Sequence, residues 1–201
     1  MSEHMALENL TVLDLTRVLA GPFCTMMLAD MGANVIKIEV PKGGDDTRSY
    51  PPFRAKNLNG ERESVYFANI NRNKKGITLN LKAPEGKEIF KELVKKADIV
   101  VENYRPGVME KLGLGYDVLK EINPRIIYAA VSGFGCYGPY HLRPGYDILA
   151  QAMGGMMSIT GSKGGEPTRA GSALGDILGG LHVTIGILAA VNARTITGKG
   201  Q

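Results

Sequence analysis

The chain of 201 residues has no tryptophan, only two cysteines and three histidines, and its aromatic share is 6%. Cys24 lies inside an apolar helical run and Cys136 in a loop of glycine and tyrosine, so neither a disulfide framework nor a Cys-x-x-Cys spacing exists. His-x-x-x-His is also missing, and a protein-bound metal is not expected. No Gly-x-Gly-x-x-Gly follows a strand, no Walker lysine motif occurs, and there is no Gly-x-Ser-x-Gly elbow. Those absences disfavour the familiar dinucleotide cradle, the P-loop and the serine hydrolase elbow. No apolar stretch reaches eighteen residues, and Met1-Ser2-Glu3-His4 lacks a basic region followed by an apolar one. The expectation is a cytoplasmic protein with free thiols and no membrane segment.

What is present is ordinary globular material: 44% hydrophobic and 22% charged residues, enough for one sizeable core or two small ones. A net charge of +4 suits a phosphorylated small molecule as well as it suits nucleic acid. Leu10 to Leu15 reads as a strand, Gly21-Pro22 starts a helix to about Met31 with Gly32 as its stop, and Ala33 to Glu39 reads as a second strand. Strand, helix and strand within thirty residues make the unit of a parallel α/β sheet. Pro41 to Arg62 reads as one long loop, followed by a short apolar piece near Val65 to Phe67 and a strand over Ile77 to Leu81. A helix from Pro84 to about Lys96 and an apolar strand over Asp98 to Glu102 come next. Helices over Val108 to Leu112 and Tyr116 to Ile122 then lead to a strand over Arg125 to Val131. After a glycine-rich loop, Tyr146-Asp147 opens a helix through Gln151 and Met153. Neither repeats nor low-complexity tracts interrupt this order, and a Rossmann-like sheet with helices on both faces is the predicted architecture.

The most informative stretch is Gly171 to Gln201. A loop of small residues, Gly171-Ser172-Ala173-Leu174-Gly175, leaves bare backbone near a ligand, and Asp176 opens a long segment with apolar residues at helical spacing. An aspartate at a helix start meets unpaired N–H groups and the positive dipole end, so it is expected to stay ionised. On residues alone it is a structural cap or a reactive carboxylate. Thr197-Gly198-Lys199-Gly200-Gln201 is turn chemistry that normally leads into another element, and a longer parent chain is expected. Cations gather at strand ends: Arg17 to Pro22, Lys74-Lys75, Lys82, and Asn103 to Lys111. Such loops at the ends of parallel strands can converge on one phosphorylated ligand.

Several long blocks carry a family resemblance: Leu13-Asp14-Leu15-Thr16-Arg17-Val18-Leu19-Ala20-Gly21-Pro22, Gly32 to Glu39, Ala97 to Asn103, Arg143-Pro144-Gly145-Tyr146-Asp147, and Thr197 to Gln201. Together they resemble the class III CoA-transferases, the CaiB/BaiF group, over essentially the whole chain. The resemblance implies the large Rossmann-like domain only, with a smaller domain further along, and two interlocked subunits. It implies coenzyme A as part of an acyl-CoA substrate, a carboxylic acid as the other, and no nucleic acid, membrane or metal partner. By position the nucleophilic aspartate falls on Asp176. CoA contacts fall on Arg17, Val18, Leu19 and Ala20, on Leu79 and Lys82, and on Asn103, Tyr104, Arg105 and Lys111, with Tyr146 and Asp147 in the substrate pocket. A carboxylate suits this exchange because it can itself become an acyl group. The glycine-flanked turn around Asp176 is expected to supply N–H donors to each tetrahedral intermediate.

Two departures bear on substrate. Racemases of this family, which act on 2-methylacyl-CoA, place a histidine where this chain has Tyr146, and tyrosine is a poor base near neutral pH. Transfer is therefore preferred to racemisation, unless His141 substitutes. The formyl-CoA and oxalate branch has a glutamine at the place of Leu19, so an apolar side chain there argues against oxalate. A non-catalytic domain that binds CoA or a nucleotide stays open beside both.

Overall fold

The computed structural model describes residues 4–54, 60 and 62–201. Its elements in chain order are β1 (Thr11–Asp14), α1 (Ala20–Asp30), β2 (Asn34–Glu39), β3 (Phe53–Arg54), β4 (Glu63–Ser64), α2 (Val65–Ile70), β5 (Lys75–Thr78), α3 (Pro84–Val94), β6 (Ile99–Glu102), α4 (Val108–Leu112), α5 (Tyr116–Ile122), β7 (Ile127–Ala130), α6 (Asp147–Met153) and α7 (Leu174–Thr197). Five strands form one sheet in the order β5-β2-β1-β6-β7, and every pairing is parallel. Numbered within the sheet this is 3-2-1-4-5, the doubly wound Rossmann order. The winding reverses between β1 and β6, and a crevice opens there at their carboxyl ends.

The two-residue period of the central strands divides the core. Val12, Val35, Ile99, Val101 and Ile127 pack on one face with Cys24 and Leu28 of α1 and Ile187 and Ala190 of α7. Leu13, Ile38, Val100 and Ile126 pack on the other with Phe90 and Val94 of α3, Met109 of α4 and Leu119 of α5. Strands covered on both faces carry continuous apolar runs, which is why β1 and β6 were legible. Helices α1 and α7 approach closely. A Cβ at Gly180 would lie 2.5 Å from the Ala20 carbonyl oxygen, so only glycine fits without displacing one helix.

Helix α7 is also, by length and composition, apolar enough to cross a membrane. Here it lies against α1 and β7. Near its end the buried Arg194 pairs with Asp98 at 3.0 Å and donates to the Arg125 carbonyl at 3.0 Å.

Two expectations are corrected, and one unassigned piece gains its element. The edge strand is Lys75–Thr78, not Ile77 to Leu81: its register follows β2 from Ile36 to Glu39 and ends with it. As an exposed edge it shows no apolar alternation to betray its position. The loop expected over Pro41 to Arg62 contains a 3-10 turn at Asp46–Ser49 and the β3–β4 hairpin, with residues 55–59 and 61 outside the described set. The apolar piece near Val65 is helix α2, started by Ser64, whose Oγ accepts from the Phe67 amide at 3.2 Å.

Candidate active site

The turn after β1 reaches the crevice in a strained conformation. Val18 has φ +67°, a left-handed backbone that a β-branched residue adopts only when its surroundings impose it. Asp45 Oδ1 accepts from the Val18 amide at 3.2 Å, and Lys37 Nζ donates to the Thr16 carbonyl at 2.8 Å. Lys37 and Asp45 are themselves a buried ion pair at 2.9 Å. From the other side of the crevice Asn103, just past β6, brackets Arg17. Its Oδ1 accepts from the Arg17 amide at 2.9 Å and its Nδ2 donates to the Arg17 carbonyl at 2.7 Å. The guanidinium of Arg17 pairs with Asp46. The turn and the loop after β6 are thereby locked together at the switch point.

Asp176 sits in the first turn of α7 as its third residue, and the N-cap position is Ala173. The expectation that Asp176 opens the helix as its cap is thus corrected. The cap comes from another helix: Asp147 Oδ1 accepts from the Gly175 amide at 2.8 Å. The amide of Leu174 is taken by the Ser172 carbonyl at 2.8 Å. The two amides before Asp176 are therefore both committed, and neither is a free oxyanion donor. A Cβ at Gly175 would meet Ala150 Cβ at 2.8 Å, so the segment lies flat on α6 only because this residue is glycine.

The electrostatics of Asp176 also differ from expectation. Burial, and then the charge of Asp147, push its carboxyl above the ordinary value, while Arg169 pulls it back. Arg169 Nε lies 3.3 Å from Asp147 Oδ2. Burial, and then the charge of Asp176, raise the Tyr66 phenol of α2. Tyr66, Arg169 and Gln151 went unnoticed in the sequence. Ser64 as a cap residue would have flagged α2, but nothing local marks the other two.

A cavity of ≈ 970 Å³ occupies the crevice. Its wall includes Arg17, Val18, Leu19 and Ala20 from the first turn, Asn103, Tyr104 and Arg105 from the second, Tyr146 from the start of α6, and Asp176. Nine sequence-predicted residues thus share one space, with Asp147 buried just behind it. Leu79, Lys82 and Lys111 do not line it. Leu79 packs against the α3 side of the core, and the other two are exposed. Lys74 is likewise no ligand for the crevice: its side chain is buried and paired with Asp14 at 3.1 Å, and Lys75 bonds Asn34 at 2.7 Å. His141 bonds the Gly138 carbonyl at 2.7 Å and is not on the wall. Among the described residues no cluster of metal-ligating side chains occurs.

Glu102 ends β6 at the edge of this site, accepting from the Tyr104 amide at 2.7 Å and the Tyr128 hydroxyl at 3.3 Å. Burial pushes it up to about 7; those two donors oppose the rise and Glu110 adds to it. Between its ordinary 4.5 and about 7 the folded chain holds a proton that the unfolded chain has lost, so stability falls as pH rises through that window. Glu102→Gln is expected to raise stability at pH 8 by roughly 2 kcal/mol. Thermal melts across pH check this, and the gain should vanish toward pH 4.

Residues 7–201 match the family model described as CoA-transferase family III. An acyl-CoA transferase of Fusarium pseudograminearum is 52% identical over 203 residues, covering 100% of this chain and 44% of that protein. A succinyl-CoA:mesaconate CoA-transferase of Haloarcula marismortui is 50% identical, covering 98% of this chain and 50% of the relative. A crystal structure of a CAIB/BAIF family protein from Brucella suis matches with a TM-score of 0.94 at 46% identity, over 99% of this chain and 52% of that one. The chain spans about half the length of the curated relatives it matches.

Proposed function

The chain belongs to CoA-transferase family III, and on that premise we propose that it moves CoA between two carboxylic acids with Asp176 as the nucleophile. One observation carries this reading: the Asp176 carboxylate shares a cavity with the Arg17–Ala20 turn and the Asn103–Arg105 loop at the switch point of the sheet. Asp176 attacks the thioester carbonyl, and the C–S bond breaks to leave CoA thiolate and a mixed anhydride on Asp176. The Asp176 acyl carbon then takes the thiolate sulfur, expelling the donor acid and becoming an aspartyl thioester. The acceptor carboxylate attacks that carbon, regenerating an anhydride and thiolate. The thiolate finally takes the acceptor's acyl group and frees Asp176. Atoms balance without ATP, because each bond broken is matched by one formed.

Partial burial favours this chemistry in two ways. It raises the basicity and hence the nucleophilicity of Asp176, and it limits the water that would hydrolyse the anhydride. The strained turn at Val18, fixed by Asp45 and Asn103, presents Arg17 and Leu19 to the cavity already ordered, which lowers the entropy cost of binding. Asn103→Ala removes both bonds to the Arg17 backbone and is expected to raise KM for acyl-CoA roughly 10-fold. Steady-state kinetics should show kcat changing far less.

Exposed apolar side chains on α6 and α7, among them Met153, Leu178, Ile185 and Ile196, support an assembly of two chains in which they are covered. Labelled CoA exchange between two acids tests the transfer reading. Deuterium entering the α-carbon of the acyl group from solvent, without CoA exchange, would replace it with racemisation.

A further inference from the structure

We propose that Gln151 is a positioning residue for acyl transfer, holding through its side-chain amide the strap that delivers Asp176 to the cavity. The inference rests on Asp176 being the nucleophile. The strap, residues 169–173, belongs to no strand or helix, so its path must be set by side chains. Two of these come from one face of α6, at positions four apart: Asp147 and Gln151. Gln151 is 1% exposed, and its amide is fully used. Its Nε2 donates to Asp147 Oδ2 at 2.8 Å and to the Ser172 carbonyl at 3.3 Å, and its Oε1 accepts from the Ala170 amide at 2.9 Å. The other oxygen of Asp147 holds the Gly175 amide. The strap is therefore tied at Arg169, Ala170 and Ser172, its entry into α7 is held at Gly175, and the next residue is Asp176.

The same amide settles the orientation of Asp147. A carboxylate close to Asp176 repels it, and Asp147 does raise the Asp176 carboxyl. Gln151 and Arg169 both engage Asp147 Oδ2, which keeps that charge turned toward α6 and the strap. Without Gln151 the strap loses its ties at Ala170 and Ser172, and Asp147 loses a donor. A shift of the reacting carboxylate by about 1 Å is enough to cost on the order of 10²-fold in rate.

The test uses the full protein and two variants. Gln151→Met keeps the side-chain volume and removes all three bonds, while Gln151→Glu is isosteric but sets a carboxylate against Asp147. Both are expected to lower kcat for CoA exchange by about 10²-fold, with KM for acyl-CoA within roughly twofold, since the Arg17 and Asn103 loops are untouched. A merely structural role would instead lower active protein and leave kcat per folded molecule unchanged. If one variant fails to fold, the other decides. A folded variant of either kind with parental kcat overturns the role of Gln151, and so does a loss confined to KM. Asp176→Asn, assayed alongside, separates the two ideas: full exchange in that variant sinks the nucleophile reading, whereas its inactivity with an unimpaired Gln151 variant sinks only this one.

Discussion

Asp176→Asn is expected to lower CoA exchange by roughly 10⁴-fold or more while leaving the fold at least as stable as the parent. Asparagine has the same shape but cannot form the anhydride, so every covalent step stops. The stability half of the prediction comes from the surroundings. Burial and the charge of Asp147 both disfavour the ionised form of Asp176, and Arg169 offsets them only in part. With the folded carboxyl raised above its unfolded value, the group costs stability once pH exceeds the unfolded range, and the cost grows until the folded group is also ionised. Removing the charge relieves that cost at neutral pH. A carboxylate kept for its charge in the first turn of α7 predicts the opposite, a loss of roughly 0.3–1 kcal/mol on substitution as its attraction to the helix dipole disappears. Paired exchange assays and thermal melts therefore distinguish a reactive group from a structural one.

The second large effect concerns Asp14. Its Oδ1 accepts from the Thr16 amide and hydroxyl at 2.9 and 2.5 Å, and its Oδ2 from the Thr25 hydroxyl at 2.7 Å and Lys74 Nζ at 3.1 Å. Burial alone would raise Asp14; Lys74, Lys37 and the two hydroxyls outweigh it, so the carboxyl ends below its ordinary 3.8. Lys74 moves below its own ordinary value, because burial there exceeds what Asp14 returns. The pair is thus no large net stabiliser, but breaking it strands a buried ammonium. Asp14→Ala is expected to destabilise by about 3–5 kcal/mol, a fall in Tm on the order of 10 °C. Asp14→Asn combined with Lys74→Met should recover much of that loss, which chemical denaturation would reveal. The depressed Asp14 contributes stability above pH 3.8 that is lost as pH falls through its folded value, so the single variant should also show a weaker acid dependence.

Legibility followed burial and locality. Strands β1 and β6, sealed on both faces, advertise themselves as apolar runs, and the Gly32 stop lies within the chemistry of its own turn, at φ +103°. Strand β5, exposed along its whole length, was misplaced because no hydrophobic demand acts on it. Lys74 was grouped with the cations expected to meet a ligand, since nothing near it in sequence announces a carboxylate 60 positions away. Asp176 could be singled out from the bare loop before it and from the family blocks. Gln151 and Arg169 could not, because their partners are set by the path of the strap across α6. Asp147 was placed in the pocket by resemblance, but its work as the cap of α7 is visible only in three dimensions.

The central claim is that Asp176 becomes acylated. Incubating the full protein with acyl-CoA, quenching with hydroxylamine and mapping the adduct by mass spectrometry tests it directly. The predicted result is a hydroxamate at Asp176 that requires acyl-CoA and is lost in Asp176→Asn. Undiminished CoA exchange with no adduct at that residue, or with the adduct on another side chain, would contradict it.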